Sequence, residues 1–403
     1  MKTNKVTAIP RLRFPEFDGD WKIFYLNNVS HNLDSKRVPI TSKDRKKGNI
    51  PYYGASGIID YIDEFIFDDN LLCISEDGAN LIDRVYPIAF SVTGKTWINN
   101  HAHVLKFENL WTQVIVESYL NHISLEKYLT GVAQPKLNKA KLNSIEIPLP
   151  KLKEQKKIAD CLSSLDDLIN AENEQLDALQ EYKAGLLQQL FPVEGETTPK
   201  LRFAEFKDDG DWSTYKLNKI AKLNKERNKN ERVTRVFTNS AINGIVDQQD
   251  YFKKDIANKS NLGNYYIVNK NDFIYNPRIS VNAPVGPISR NKIGAGVMSP
   301  LYTVFSFTKG VSSFYEYYFQ TTYWHQYLKQ VSNMGARHDR MNVSVDDFKK
   351  IPLPYPNVIE QQKIADCLSS LDNLIKLQDN KVEALKQHKQ GLMQQLFPTM
   401  DGE

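Results

Sequence analysis

Lys157–Asp166 reads KIADCLSSLD, and the same ten letters return at Lys363–Asp372. Each copy opens a long helical pattern, and each pattern closes on QQLFP, at Gln188–Pro192 and Gln394–Pro398. From Glu154 against Glu360 to Pro192 against Pro398 the offset is a constant 206 without a gap. An apolar stripe with alternating steps of three and four runs through the first copy: Leu162, Leu165, Ile169, Glu172, Leu176, Leu179, Lys183, Leu186, Leu190. The second reads Leu368, Leu371, Ile375, Gln378, Val382, Leu385, Lys389, Leu392, Leu396. This is the coiled-coil period, and it predicts two long helices pairing antiparallel. Centring the pair near Leu176–Leu179 sets Glu172 against Lys389 and Lys183 against Gln378. Polar pairs inside a seam can fix register at some cost in stability. About 33 helical residues at ~1.5 Å each give a rod of roughly 50 Å, on the order of fourteen base pairs of DNA.

Outward from the helices, the repeat continues as a frame. LRFPEFDGDW ends at Trp21 and LRFAEFKDDGDW at Trp212; Ile-Pro-Leu-Pro occurs at Ile147–Pro150 and Ile351–Pro354. Between arm and proline-rich hinge, residues 22–130 and 213–334 share almost nothing that aligns. A fixed frame with two different interiors implies one scaffold carrying two specificities. The expected division is an arm and first domain over 1–150, a helix over 151–192, a linker over 193–200, a second domain over 201–356, a helix over 357–398 and a tail over 399–403. The interiors read as mixed α/β. Strands are expected at Leu71–Ile74, Val85–Val92, His103–Phe107, Tyr265–Val268, Asp272–Tyr275 and Leu301–Phe307, and helices at Thr112–Leu129 and Ser313–Val331.

The 403 residues suit two or three domains. With 41% hydrophobic and 25% charged residues the composition is that of a soluble protein. No apolar run spans a membrane and no signal peptide opens the chain, so a cytoplasmic protein with no membrane partner is expected. Cys73, Cys161 and Cys367 show no metal-binding spacing and read as small buried side chains. The net charge of +4 names no partner by itself.

Its distribution says more. Lys36, Arg37, Lys43, Arg45, Lys46 and Lys47 cluster near the start of the first interior, and Lys225, Arg227, Arg232 and Arg235 near the start of the second. Such runs suit phosphate neutralisation on double-stranded DNA. Side chains able to meet base edges stand nearby: Tyr52, Tyr53, Ser56, Glu76, Asn80, Lys95, Asn99, Asn100 and His101 in the first, Asn239, Asn243, Asn276, Arg278, Ser280, Asn282, Arg290, Ser299 and Tyr302 in the second. Arg337, His338 and Arg340 add a basic loop. Catalytic patterns fail. Gly94-Lys95-Thr96 has Ala89 where a phosphate loop needs glycine, and Asn276-Pro277 continues as Arg278-Ile279, unlike an adenine methyltransferase site. His101-x-His103 lacks a third ligand. Glu154-x-Lys156, half of a nuclease signature, has no upstream aspartate partner. No catalytic residue, metal or cofactor is assigned.

With these residues in view, the chain resembles the DNA-specificity subunits of type I restriction–modification systems. The helices, hinges and arms carry the resemblance, together with YYGASGIIDYI (Tyr52–Ile62), SEDGAN (Ser75–Asn80), NNHAHVL (Asn99–Leu105) and MSPLYTVF (Met298–Phe305). It implies an α/β (mixed α+β) fold with two globular target-recognition domains, separated by two long antiparallel helices forming a coiled coil in a pseudo-twofold repeat. Each domain would read one half of a bipartite asymmetric site, and the helices would set the gap. It further implies a non-catalytic subunit that docks two methyltransferase subunits and, through them, restriction/translocase subunits. S-adenosylmethionine, ATP and Mg would reside on those partners. Two alternatives are an orphan DNA-binding or antirestriction protein on the same scaffold and a nuclease with a cryptic site.

Overall fold

The computed structural model describes residues 9–131, 134–252, 259–332 and 339–398. The chain forms two compact units: Met1–Glu174 with Asp379–Glu403, and Gln175–Gln378. The division falls inside both long helices, Leu152–Gln189 and Val358–Leu396. Each unit therefore holds one interior domain, the beginning of the helix that follows it and the end of the other helix.

In the first unit, ten strands run in chain order: β1 (Lys22–Tyr25), β2 (His31–Asn32), β3 (Lys47–Gly54), β4 (Gly57–Ile62), β5 (Phe67–Asp68), β6 (Leu71–Ser75), β7 (Ala89–Val92), β8 (Lys95–Ile98), β9 (Ala102–Lys106) and β10 (Glu146–Leu149). They make an antiparallel sheet β2-β9-β6-β7, a sheet β4-β3-β8-β5 in which β3 and β8 run parallel, and a ribbon β1-β10. The run LLCIS of β6 is buried on both faces, which its unbroken apolar stretch dictates. The expected strand Val85–Val92 shrinks to β7, because Pro87 cannot donate to a ladder and Val85 and Tyr86 stay exposed. The expected helix Thr112–Leu129 is Leu110–His122, ended at Ile123, followed by a single 3-10 turn at Glu126–Tyr128.

In the second unit the strands are β11 (Ser213–Lys216), β12 (Ala221–Asn224), β13 (Phe237–Ser240), β14 (Gly244–Asp247), β15 (Tyr266–Val268), β16 (Phe273–Tyr275), β17 (Ile288–Arg290), β18 (Gly296–Met298), β19 (Thr303–Phe307) and β20 (Pro352–Tyr355). Sheet β12-β19-β16-β17 is accompanied by the pairs β13-β14, β15-β18 and β11-β20. The helix expected over Ser313–Val331 is two, Ser312–Tyr318 and His325–Val331. Between them Thr321 Oγ1 donates back to the Tyr318 carbonyl and Trp324 Nε1 to that of Phe319, which closes the first helix.

The Ile-Pro-Leu-Pro segments are not free hinges. Each is an edge strand, β10 or β20, antiparallel to the arm strand β1 or β11, with Pro148 opposite Ile23 and Pro354 opposite Thr214. Prolines two apart lack N–H groups on one edge only, so the other edge still pairs. The arms are locked from the other side as well. The Arg13 guanidinium grips the Glu154 carboxylate through Nε and Nη2, both at 2.7 Å, while Arg202 grips Glu360 in the same way at 2.8 Å. Glu154 of Glu154-x-Lys156 is thus held in an arm clamp, while the Lys156 ammonium lies 5.3 Å from the Trp111 ring centre.

The QQLFP endings fill cores. In the first unit Leu396 and Phe397 join Ile158, Ala159, Leu162 and Tyr119; in the second, Leu190 and Phe191 join Ile364, Ala365, Leu368 and Phe314. The first turns of one helix and the last turns of the other therefore pack on the same domain. None of the eighteen stripe residues is exposed. Within the first unit the direction is antiparallel, since Asp166 pairs with Lys389 and Glu172 with Lys381 at 2.6 Å. Within the second, Lys183 pairs with Asp372 at 2.6 Å. This corrects the expected register, which set Glu172 opposite Lys389 and Lys183 opposite Gln378. A seam lysine reaches sideways to a carboxylate at the margin, keeping its ammonium in water while its stem lies in the seam. Cys73 is buried, whereas Cys161 and Cys367 are half-buried, and all three are free thiols.

Candidate nucleic-acid interface

In the first unit the basic run splits by role. Lys36, Lys43, Lys46 and Lys47 are exposed along the loop that leads into β3. Arg37 and Arg45 turn inward. Arg37 Nη1 donates to Glu76 and to the Ala102 carbonyl, both at 2.7 Å; Arg45 lies 4.4 Å from the Tyr52 ring centre and pairs with Asp60. Tyr52 is buried at 1% exposure, its hydroxyl against the Ile40 backbone, which removes it from the base-reading set as a core residue. Asn99 is also buried, and its side-chain oxygen receives the His101 N–H. Asn80 braces the Tyr86 backbone through both ends of its amide. Tyr53 is half-buried and stacks on Phe90. Ser56, Lys95 and Asn100 are exposed, as is His101, whose Nδ1 is 3.0 Å from Asp77.

Under this surface lies a charged latch. Asp34 receives the Val104 N–H at 2.9 Å and sits 2.7 Å from His103 Nδ1, whose Nε2 faces the Leu137 carbonyl at 2.7 Å. Glu76 accepts from Arg37 and pairs with Lys136 at 3.2 Å. Burial pushes the Asp34 carboxyl up, but the His103 contact and charge, then the Val104 and Asn32 hydrogen bonds, outweigh it and hold it at about 2. The latch ties the turn before Lys36 to the middle of β9. The pair His101-x-His103 marked the place in the sequence, yet nothing there showed that His103 meets Asp34. No group of three or more His, Cys, Asp or Glu able to hold a metal occurs among the described residues.

The second unit gathers more of its candidates. Asn239, Asn276, Arg278, Ser280, Asn282, Ser299, Tyr302 and Arg340 line one concavity of about 630 Å³. Asn239 Nδ2 donates to the Ile274 and Pro287 carbonyls, so this residue is the buried floor and not an exposed reader. Asn276 Nδ2 donates to the Asn239 carbonyl and its Oδ1 receives the Arg278 N–H, which aims the loop that follows. Tyr302 and Thr238 hydroxyls meet at 3.1 Å. Gly286, at φ +81°, closes the loop where a Cβ would stand 2.0 Å from the Asn276 oxygen. Among the described residues no carboxylate lines this concavity, and two guanidinium groups do.

The remaining candidates lie elsewhere. Arg290, bound to Asn271 and Glu316, and Asn243 line a neighbouring hollow. Arg227 stacks on Tyr266 and Arg235 pairs with Asp247, while Lys225 and Arg232 are exposed. Arg337 and His338 fall outside the described residues.

Comparison with known proteins finds one family twice along the chain. The family described as the type I restriction modification DNA specificity domain matches twice, over residues 18–181 and 187–387. A Methanocaldococcus jannaschii protein, the type I restriction enzyme MjaVIII specificity subunit, is 23% identical over 96% of this chain and 93% of its own. A Haemophilus influenzae protein named as a type I restriction enzyme specificity subunit is 35% identical over 42% of each chain. Among solved structures, the specificity subunit of the type I system from M. genitalium covers 97% of this chain and 99% of its own, with TM-score 0.59 and 14% identity, a likeness of fold. The repeated frame, the two dissimilar interiors and the doubled match place this chain in the type I restriction–modification DNA-specificity family.

Proposed function

We propose that each unit reads one half of a bipartite, asymmetric DNA sequence, with the long helices setting the number of unread base pairs between the halves. The observation that carries this is the concavity of the second unit. Among the described residues it assembles two arginines, several amides and hydroxyls, and no carboxylate, a set matched to base edges and phosphates. The first unit would use exposed Lys36, Lys43, Lys46 and Lys47 on phosphates, with Ser56, Lys95, Asn100 and His101 near the bases.

The chain itself would perform no chemistry. Two methyltransferase subunits would dock on surfaces that the repeat supplies twice. Leu152 and Val358 occupy one repeat position and are 53% and 51% exposed; Leu168 and Leu374 occupy another, at 43% and 53%. Apolar side chains kept in water at matching positions suit two copies of one partner. S-adenosylmethionine would be held by those subunits, and ATP and Mg by restriction/translocase subunits. No helix among the described residues is long and apolar enough to cross a membrane, and a cytoplasmic site of action fits the proposal.

The test is genome-wide methyladenine mapping in cells carrying the chain with its partners. A split motif is expected. Replacing residues 213–334 with another interior should change one half of the motif only, and adding seven residues to each long helix should widen its gap. An unsplit motif, or a gap indifferent to helix length, would refute the reading.

A further inference from the structure

Two turns of the second unit hold apolar side chains out in water. The first joins β13 to β14, where Ser240 Oγ receives the N–H groups of Ile242 and Asn243 at 3.3 and 3.2 Å. Ile242 at its tip is 75% exposed. In the second, Ser280 and Ala283 exchange backbone hydrogen bonds of 3.0 and 3.1 Å around Val281 and Asn282, and Val281 is completely exposed. A solitary exposed aliphatic side chain is ordinary. Here two of them sit on short, hydrogen-bonded turns that line one hollow together, and Ile242 and Asn282 also border the concavity described above. They form a ridge between the two.

The surroundings of the ridge identify its occupant. Arg278 and Arg340 lie on one side, Arg290 and Lys292 on the other, with Glu316 as the single carboxylate among the described residues. A protein partner would be met by a contiguous apolar patch of several hundred Å². Two separate tips among amides and cations fit a surface that is polar and anionic with isolated apolar points. The major groove is such a surface, and its apolar point is the C5-methyl group of thymine.

We propose that Ile242 and Val281 read thymine methyl groups in the half-site of the second unit, a specificity that rests on the DNA-recognition reading above. The turns are held by their own hydrogen bonds, so contact orders little that was loose beforehand. The neighbouring Asn282 and Arg278 would supply hydrogen bonds to the same or adjacent base pairs.

The experiment uses the full chain in complex with its methyltransferase and a synthetic duplex bearing the mapped site. Each thymine of the second half-site is replaced singly by deoxyuridine, which removes only the methyl group. At one or two positions the wild type should bind about fourfold more weakly, the worth of one buried methyl group. Ile242→Ser or Val281→Ser should bind the thymine duplex as weakly as the wild type binds the uracil one, and lose the difference. Both side chains are exposed, so neither change touches the core, and unchanged melting temperatures confirm that both variants fold. Equal wild-type affinity for thymine and deoxyuridine at every position overturns the inference, as does a half-site without thymine. Sequence-specific binding that persists in either case leaves the recognition reading standing. Failure to distinguish the mapped site from a scrambled duplex removes both.

Discussion

At the scale of single residues, two positions hold the proposed recognition surfaces in shape from within the fold. Asp34, held at about 2 between His103 and the Val104 N–H, anchors the turn that leads into the lysine-rich loop. Its folded-state value lies below the ordinary carboxylate value of 3.8. Its contribution is therefore complete above about pH 4 and is lost as pH falls toward 2, a loss of roughly 2 kcal/mol. Asp34→Ala should cost about 3 kcal/mol by leaving His103 without its charged partner, read as a lower denaturation midpoint. The second position is Gly286. At φ +81° and with the Asn276 oxygen 2.0 Å from any Cβ, Gly286→Ala should destabilise the second unit by about 2 kcal/mol or more. In the methylation map it should blur one half of the motif and spare the other.

Among the elements, the long helices were the most legible in the sequence, because a stripe of alternating threes and fours has one structural meaning. None of the eighteen stripe positions is exposed, and ten of them are buried. The partner of each seam lysine was not legible. Lys389 meets Asp166, and Glu172 meets Lys381, because the helices pair about one heptad away from the expected centre, and periodicity alone does not fix which turn faces which. The candidate site was legible in kind and only partly in detail. Asn239, Tyr52 and Asn99 carry the right chemistry but spend it inside the fold, while Asn276, Arg278, Asn282 and Arg340 meet in one concavity although up to 64 positions separate them in the chain. Residue types reveal what can bind; only the tertiary fold decides what faces outward. The arm clamps are testable at this scale. Arg202→Ala leaves Glu360 buried without its fork and should cost about 3 kcal/mol in the second unit, and Arg13→Ala should do the same to the first. A double variant is expected to add both losses, since the clamps share no residue. Two transitions in a denaturant melt, each moved by its own variant, are the expected record.

For the whole molecule, the interleaving of the units governs the order in which the chain becomes finished. The first unit closes its core with Leu396 and Phe397, and its arm donates from the Leu12 N–H to the Gln395 carbonyl. During synthesis its opening strands therefore wait for some 200 residues to follow, on the order of 10–40 s at ordinary ribosomal speed, with Tyr119 and Leu162 uncovered in the interval. The second unit meets no such delay, because Leu190 and Phe191, which fill its core, are made before its own strands. A chain stopped at Gly391 should therefore keep a folded second unit and lose the first, seen as protease sensitivity confined to residues 9–174. The last turn of the second long helix is the keystone of the first unit, so the nascent first unit is expected to leave apolar surface open to shielding helpers until Leu396 and Phe397 have been made.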